Sequence, residues 1–77
     1  MKDAVEKIIR ALAAQPDDAD VVENVDGKTV KFQVRVAADD MGRLIGRDGR
    51  TVKAIRSILY YAGQKQGKRF QLDLVED

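Results

Sequence analysis

Cysteine and histidine are both absent from this chain of 77 residues. Without thiolates and imidazoles the chain has no disulfide, no cysteine nucleophile, no histidine base and none of the commonest zinc ligands. Metal binding or acid–base catalysis would have to rest on carboxylates alone, and no nucleophile stands out beside a base. We therefore expect no metal, no cofactor and no enzymatic activity. An enzyme acting on a phosphorylated metabolite is the least favoured alternative.

Long apolar runs are lacking as well. The first residues mix charged and apolar types and no extended apolar segment follows, so the sequence predicts neither a signal peptide nor a membrane span. A cytoplasmic protein is therefore expected. The length predicts one domain over residues 1–77. A domain of this size buries only about 60% of its unfolded surface, which leaves little room for a deep catalytic cavity.

Neither sign of charge dominates, because the net charge is only +1. The distribution is nevertheless uneven: residues 41–56 contain five cations and one acid, whereas the rest of the chain contains nine cations and twelve acids. A basic patch on an otherwise acidic domain attracts phosphates locally while it discourages indiscriminate adhesion. A solvated helix face would explain the same charges equally well.

Periodic apolar positions predict the secondary structure. Helical spacing indicates an amphipathic helix over residues 3–14, and a short strand is expected over residues 19–25. Asp26 and Gly27 form a pair that two-residue hairpin turns favour. The next strand and the last strand alternate apolar with polar residues, which places one face of each strand in the core. The residues expected on that face are Val30, Phe32, Val34, Val36, Phe70, Leu72 and Leu74.

Two more helices are expected between these strands, over residues 40–45 and 50–62. Asp39 is the predicted N-cap of the first helix, and Gly63 is the predicted end of the second. The apolar stripe of the longer helix should comprise Val52, Ile55, Ile58, Leu59 and Ala62. The order helix, strand, strand, helix, helix, strand predicts an α+β fold, with three helices on one face of a three-stranded sheet.

The segment LIGRDGRTV, residues 44–52, joins these two helices through a turn with two glycines three positions apart. Glycine lets the main chain approach a ligand closely and adopts positive φ at little cost. The helix that follows presents unpaired N–H groups and a partial positive charge, which suit a phosphate. Arg47, Arg50 and Lys53 add charge around this turn. The pattern indicates a clamp for a nucleic-acid backbone.

Other nucleotide-binding motifs fit poorly. The end of a Walker A loop would require lysine where Arg50 stands and glycine where Leu44 stands, and the glycine spacing is wrong for a dinucleotide fingerprint. A sheet that stacks bases needs exposed rings on its open face. Phe32 and Phe70 instead share the apolar register, which favours the core.

The helix–glycine turn–helix arrangement, with Leu44 and Ile45 before the turn and Val52 after it, resembles the signature of KH domains. The order of the elements resembles the type II KH arrangement of bacteria. A chain made of little else is similar to the KhpA family of small RNA-binding proteins, and the resemblance covers residues 1–77. The position of the turn between two helices, within this order of elements, makes the resemblance specific.

The resemblance implies that the turn clamps the backbone of a four-nucleotide single strand of RNA while the bases lie in an adjacent apolar groove. The residues implied at the RNA site are Gly46, Arg47, Asp48, Gly49, Arg43, Arg50, Lys53, Leu44, Ile45 and Val52. Ile55 and either Val34 or Val36 are further candidates for the groove floor. The same apolar side chains would serve an ordinary core, and sequence alone favours the core for each of them.

Asp48 departs from the usual pattern because it places a negative charge beside the expected phosphate. Its carboxylate would either weaken RNA binding or turn away and cap the helix that begins near Arg50. The sequence favours the cap.

Tyr60 and Tyr61 are adjacent on the longer helix, so the 100° step between neighbours leaves at least one of them exposed. An exposed tyrosine suits a protein interface, although a ring lying along the surface is equally compatible. The resemblance implies a homodimer or pairing with a larger KH-containing protein. The favoured hypothesis is non-catalytic binding of single-stranded RNA by an RNA chaperone or post-transcriptional regulator. The alternative is a protein-interaction adaptor that keeps the KH scaffold.

Overall fold

The computed structural model describes residues 1–76, and these residues form helices and strands in the order α-β-β-α-α-β. The elements are α1 (Lys2–Leu12), β1 (Asp20–Asp26), β2 (Thr29–Val36), α2 (Ala38–Ile45), α3 (Arg50–Gln66) and β3 (Arg69–Glu76). Short 3-10 turns at Pro16–Asp18 and Arg47–Gly49 lead into β1 and α3. The predicted α+β class and order of elements are confirmed.

The three strands form one sheet with β2 at its centre, antiparallel to β1 and parallel to β3. The predicted alternation in β2 is confirmed, because Val30, Phe32, Val34 and Val36 are all buried. Of the three residues predicted to face the core from β3, Leu72 is buried, and Phe70 and Leu74 are half-buried against the same core. The other face of the sheet is mostly polar, with Lys31 Nζ 2.8 Å from a carboxylate oxygen of Asp73, although Val22 is also exposed there.

The helices cover the apolar face of the sheet, and each of them buries a narrow stripe of residues against it. Val5 and Ile9 are the buried residues of α1, and α3 contributes Val52, Ile55, Leu59 and Gly63. The prediction that Ile58 belongs to this stripe is wrong, because its side chain is 56% exposed. Ile58 precedes the buried Leu59 by one residue, a step of 100° around the helix, and its side chain therefore lies on the flank of the helix rather than against the sheet.

Three predicted turn and cap positions are wrong. The N-cap of α2 is Ala37, and Asp39 lies inside the helix as an acid of its first turn. Asp26 pairs with Thr29, so the hairpin turn consists of Gly27 and Lys28, with Gly27 at φ +62°. The longer helix does not stop at Gly63 but continues for almost another turn to Gln66.

The end of α3 is a Schellman motif. Gly67 adopts φ +66°, the N–H of Lys68 donates to the carbonyl of Gly63 at 2.8 Å, and that of Gly67 donates to Gln64 at 3.4 Å. A Cβ on Gly63 would lie 2.6 Å from the carbonyl oxygen of Lys68. Glycine is therefore needed at position 63 because the chain passes close to the helix on its way into β3. Gly67 is the residue that ends the helix.

Asp40 fixes α2 against the segment that follows α1. Its side chain is 1% exposed, and its two carboxylate oxygens accept hydrogen bonds from the N–H groups of Ala14 and Gln15 at 2.9 and 3.0 Å. These donors would otherwise be left without partners beyond the end of α1. The carboxylate thus sets the position of the helix that carries the glycine turn. Within residues 1–76, the helices are all too short or too polar to cross a membrane.

Candidate nucleic-acid interface

The glycine loop (residues 46–49) adopts positive φ at three of its four residues. Gly46 has φ 76° and ψ 175°, Asp48 has φ 57° and ψ 25°, and Gly49 has φ 74° and ψ 15°. Only glycine reaches the first of these conformations readily, and aspartate is among the few other residues that tolerate the left-handed helical region. The predicted need for two glycines therefore has a direct conformational basis.

The two glycines differ in the space around them. A Cβ on Gly46 would overlap the hydroxyl of Thr51 and lie 2.7 Å from its Cβ, whereas a Cβ on Gly49 would meet no atom within 4 Å. Any substitution at Gly46 therefore disturbs the start of α3. Gly49 is therefore the glycine of the loop at which a side chain can be added with backbone strain alone.

Two of the four loop amides are already used by the protein. The N–H of Gly46 donates to the carbonyl of Gly42 at 2.9 Å, and that of Gly49 donates to the carbonyl of Gly46 at 3.2 Å. The amides of Arg47 and Asp48 have no acceptor among residues 1–76. The loop thus holds its own shape with two hydrogen bonds and offers two adjacent donors to a ligand.

Asp48 does not cap α3. The residue before that helix is Gly49, and no side-chain hydrogen bond caps the helix start. The carboxylate of Asp48 is exposed and has no partner in the part of the chain that the structure describes. The predicted cap is therefore wrong, and the carboxylate belongs to a residue whose own amide is one of the two free donors.

The cations around the loop are not equivalent. Arg47, Arg50 and Lys53 are exposed, and none of them forms an ion pair with a described carboxylate. Arg43 is also mostly exposed, but its Nε lies 3.6 Å from the buried carboxylate of Asp40. Three mobile cations therefore surround the free amides, while Arg43 is partly committed to the scaffold.

Most of the apolar residues implied for a groove lie in the core. Leu44, Val34 and Val36 are 0% exposed, and Val52 and Ile55 are also buried. Ile45 is the exception, with 39% of its surface exposed at the end of α2. Leu44 and Val52 therefore support the loop from beneath, and Ile45 is the apolar side chain that a ligand at the loop can touch.

A groove that the sequence did not predict runs between α3 and β3. Its pocket has a volume of about 360 Å³ and is lined by Arg56, Leu59, Phe70, Gln71, Leu72 and Asp73. Arg56 spans it, donating from Nη2 to the backbone carbonyl of Leu72 at 3.3 Å. The alternation in β3 was readable from the sequence, but the groove depends on β3 lying at the edge of the sheet, which requires the strand order.

Tyr60 and Tyr61 point to different flanks of α3. Tyr60 is 57% exposed and lines a pocket beside β3, whereas Tyr61 is 65% exposed and lies one turn beyond Ile58 on the outer flank. Their rings meet edge to face with centroids 5.4 Å apart. The expected exposure of at least one tyrosine is confirmed. Tyr60 lies on the groove side of α3, and Tyr61 lies on the outer flank.

Comparisons with known proteins agree with this geometry. A family described as "KhpA/KhpB, KH domain" matches residues 2–74. "RNA-binding protein KhpA" of Halalkalibacterium halodurans is 46% identical over 76 residues, covering 99% of this chain and 100% of that protein. Proteins of the same name from Listeria monocytogenes and Chlamydia caviae are 32% and 34% identical, covering 99% and 100% of this chain and 100% and 99% of their own lengths. The chain therefore belongs to the KhpA/KhpB family of KH domains, which is not a family of enzymes.

Proposed function

We propose that this chain is a single KH domain that binds single-stranded RNA without catalysis. The observation that carries the proposal is the pair of unpaired amides at Arg47 and Asp48, exposed on a glycine turn and surrounded by cations without partners. Backbone amides next to a helix N-terminus are a common phosphate site. The relatives named above are RNA-binding proteins by name, which supports RNA as the source of that phosphate.

The groove between α3 and β3 supports a path for the bases. It begins one to two turns beyond the glycine loop and is bordered by the exposed edge of β3 and by Arg56. Single-stranded RNA is read through unstacked bases that find apolar contacts and hydrogen bonds. With Ile45 at the loop and backbone groups of β3 along the groove, we expect binding mainly through the RNA backbone and limited preference among bases.

The cellular role that fits such a site is that of an RNA chaperone or post-transcriptional regulator in the cytoplasm. A single site for four nucleotides recognises too little sequence to select one transcript alone. Binding at many places on different RNAs, with modest affinity at each, suits a protein that alters the structure of an RNA or its accessibility to other factors.

Gly49 provides the sharpest test. Gly49→Asp and Gly49→Asn add side chains of the same size that both tolerate the left-handed backbone, but only the first adds a negative charge beside the free amides. In fluorescence-anisotropy titrations with a short single-stranded RNA at low salt, we expect Gly49→Asn to bind within a few-fold of wild type. Gly49→Asp should bind at least tenfold more weakly. Equal affinity for the two variants would overturn the proposed clamp.

A second candidate function is supported by the outer flank of α3, where the apolar side chains of Ile58 and Tyr61 are exposed together. We infer that a second copy of this chain packs there, with a larger KH-containing protein as the alternative partner. Joining two weak RNA sites raises their apparent affinity through effective concentration.

Sedimentation of wild type and of Ile58→Ser/Tyr61→Ser tests this pairing. Wild type should be dimeric and the double variant monomeric, with RNA binding by each separate site retained. A wild-type chain that remains monomeric at the highest soluble concentration would exclude the homodimer. If wild type and Arg47→Asp/Arg50→Asp both fail to bind RNA at low salt while pairing persists, the adaptor function is the correct one.

A further inference from the structure

The segment made of α3 and the turn after it is basic along its whole length. Six cations and no acid lie between Gly49 and Leu72 in the sequence, whereas nine of the thirteen acids precede residue 41. Three of these cations surround the glycine loop and the start of the groove. The other three, Lys65, Lys68 and Arg69, gather at the opposite end of the helix and have no role in the clamp.

The turn after α3 holds two of these distal cations in place. The Schellman hydrogen bond from Lys68 N–H to Gly63 folds the chain back against the helix, and the N–H of Arg69 donates to the carbonyl of Lys28 at 2.8 Å. The side chains of Lys68 and Arg69 are exposed, and neither meets a carboxylate within residues 1–76. Hydrogen bonds therefore fix the backbone of both residues, and their exposed side chains are available to an anion.

An aromatic pocket lies beside these cations. The distal pocket has a volume of about 260 Å³ and is lined by Tyr60, Gln64, Lys68, Arg69 and Phe70. The side-chain amide of Gln64 donates to the hydroxyl of Tyr60 at 2.7 Å, which orients an otherwise exposed ring. An exposed aromatic ring beside cations is the combination with which proteins hold single-stranded nucleic acid, since the ring stacks a base and the cations neutralise its phosphate.

We propose that the distal pocket is a second subsite for the RNA strand, taking one base against Tyr60 and its phosphate between Lys68 and Arg69. The proposal rests on the RNA-binding function inferred above and extends the footprint of the same strand. Two observations connect the subsites. Phe70 lines both the groove and the distal pocket, and Lys53, Arg56, Tyr60 and Gln64 follow one another along the groove side of α3 at spacings of three and four.

The length of α3 sets the number of nucleotides. Its 17 residues span about 25 Å at 1.5 Å per residue. Four stacked nucleotides at about 3.4 Å each cover only about 14 Å. A strand that stayed stacked along the whole helix would therefore need about seven nucleotides, more than the four expected at the glycine loop.

Oligouridines of four, six, eight and ten nucleotides, titrated by anisotropy, test the proposal on the intact chain. Wild-type affinity should rise by about tenfold or more between four and eight nucleotides and then level off. Lys68→Gln/Arg69→Gln should bind the four-nucleotide strand like wild type but lose most of that gain. Its salt slope with eight nucleotides should fall by about 0.7, for the one phosphate that is no longer neutralised.

The matched control is Lys7→Gln/Arg10→Gln, which removes the same charge from exposed positions of α1, the helix that packs over β1. It should leave every affinity close to wild type. Tyr60→Ala should weaken the longer strands about tenfold, and Tyr60→Phe, which keeps the ring without the Gln64 hydrogen bond, should restore most of the loss.

The outcomes separate this inference from the proposed function. Failure of wild type to bind any oligouridine would remove both. Binding that depends on Gly49 but does not increase beyond four nucleotides would overturn the distal subsite alone, as would equal losses in the distal and control variants. A distal variant that keeps RNA affinity but changes the sedimentation coefficient would assign Lys68 and Arg69 to a protein contact instead.

Discussion

At the scale of single residues, Asp48 is the one acid among the cations of the glycine loop, and its exposed carboxylate has no partner within residues 1–76. It therefore adds repulsion toward a phosphate without supporting the fold. We predict that Asp48→Asn, which keeps the left-handed backbone, raises affinity for a short single-stranded RNA about three- to tenfold at low salt. Asp3→Asn, an exposed acid on α1, is the control in the same anisotropy titration. Unchanged affinity for Asp48→Asn would mean that no phosphate lies near this carboxylate.

The two loop glycines lead to a second residue-scale prediction. Gly46→Ala combines a disfavoured backbone conformation with overlap on Thr51, so we expect it to lower the free energy of unfolding by about 2–5 kcal/mol. Gly49→Ala meets open space and should cost only the left-handed strain, about 1–2 kcal/mol. Urea unfolding monitored by circular dichroism measures both. Equal losses would show that Thr51 moves aside without cost.

At the scale of elements, the buried carboxylate of Asp40 determines how α2 sits on the end of α1. Asp40→Asn replaces one acceptor oxygen with an amide that faces an N–H donor, so one of the two hydrogen bonds to Ala14 and Gln15 is lost. We predict a loss of about 2–4 kcal/mol in the free energy of unfolding. Asp39→Asn, exposed and one residue earlier, should change it by less than about 1 kcal/mol. A small effect at Asp40 would mean that water can replace its carboxylate.

Helices and strands were predictable from the sequence wherever a single local pattern determines them. The alternation of β2 and the stripe of Val52, Ile55 and Leu59 follow from periodicity alone. Gly63 was assigned the wrong role because a glycine near a helix end satisfies two rules, helix stop and close approach, and only the path of β3 shows which applies. The groove beside Leu72 was not predictable, because it requires knowing which strand lies at the sheet edge.

The same limit applies to the candidate site. Sequence located the glycine loop and its cations correctly because a turn is a local feature. Sequence could not assign Leu44 or Val34 to the groove or to the core, since the same apolar residue types occur in both. Burial decides, and both lie in the core. Asp48 was misassigned for a related reason: capping depends on a backbone angle that the residue type permits but does not fix.

At the scale of the whole molecule, a net charge of +1 conceals two unlike halves, an acidic N-terminal part and a basic face along α3. Attraction for phosphate is concentrated on that face, while the acids opposite weaken non-specific adhesion. The proposed function therefore places RNA on the groove side of α3 and leaves the outer flank, with Ile58 and Tyr61, for the proposed second chain.

The salt dependence of RNA binding tests whether the basic face, rather than the whole domain, attracts the phosphates. If the glycine loop neutralises about three phosphates, log K should fall by roughly 2 per tenfold rise in salt for a four-nucleotide strand. Arg47→Gln/Arg50→Gln should reduce that slope by about 1.4, because two of the contributing cations lie at the loop. Lys2→Gln/Lys7→Gln on α1 carries the same change in net charge and should leave the slope unaltered. Equal reductions of the slope in the two variants would show that binding follows the total charge of the domain, and the basic face would then have no privileged role. A slope unchanged by Arg47→Gln/Arg50→Gln would show that these two cations neutralise no phosphate.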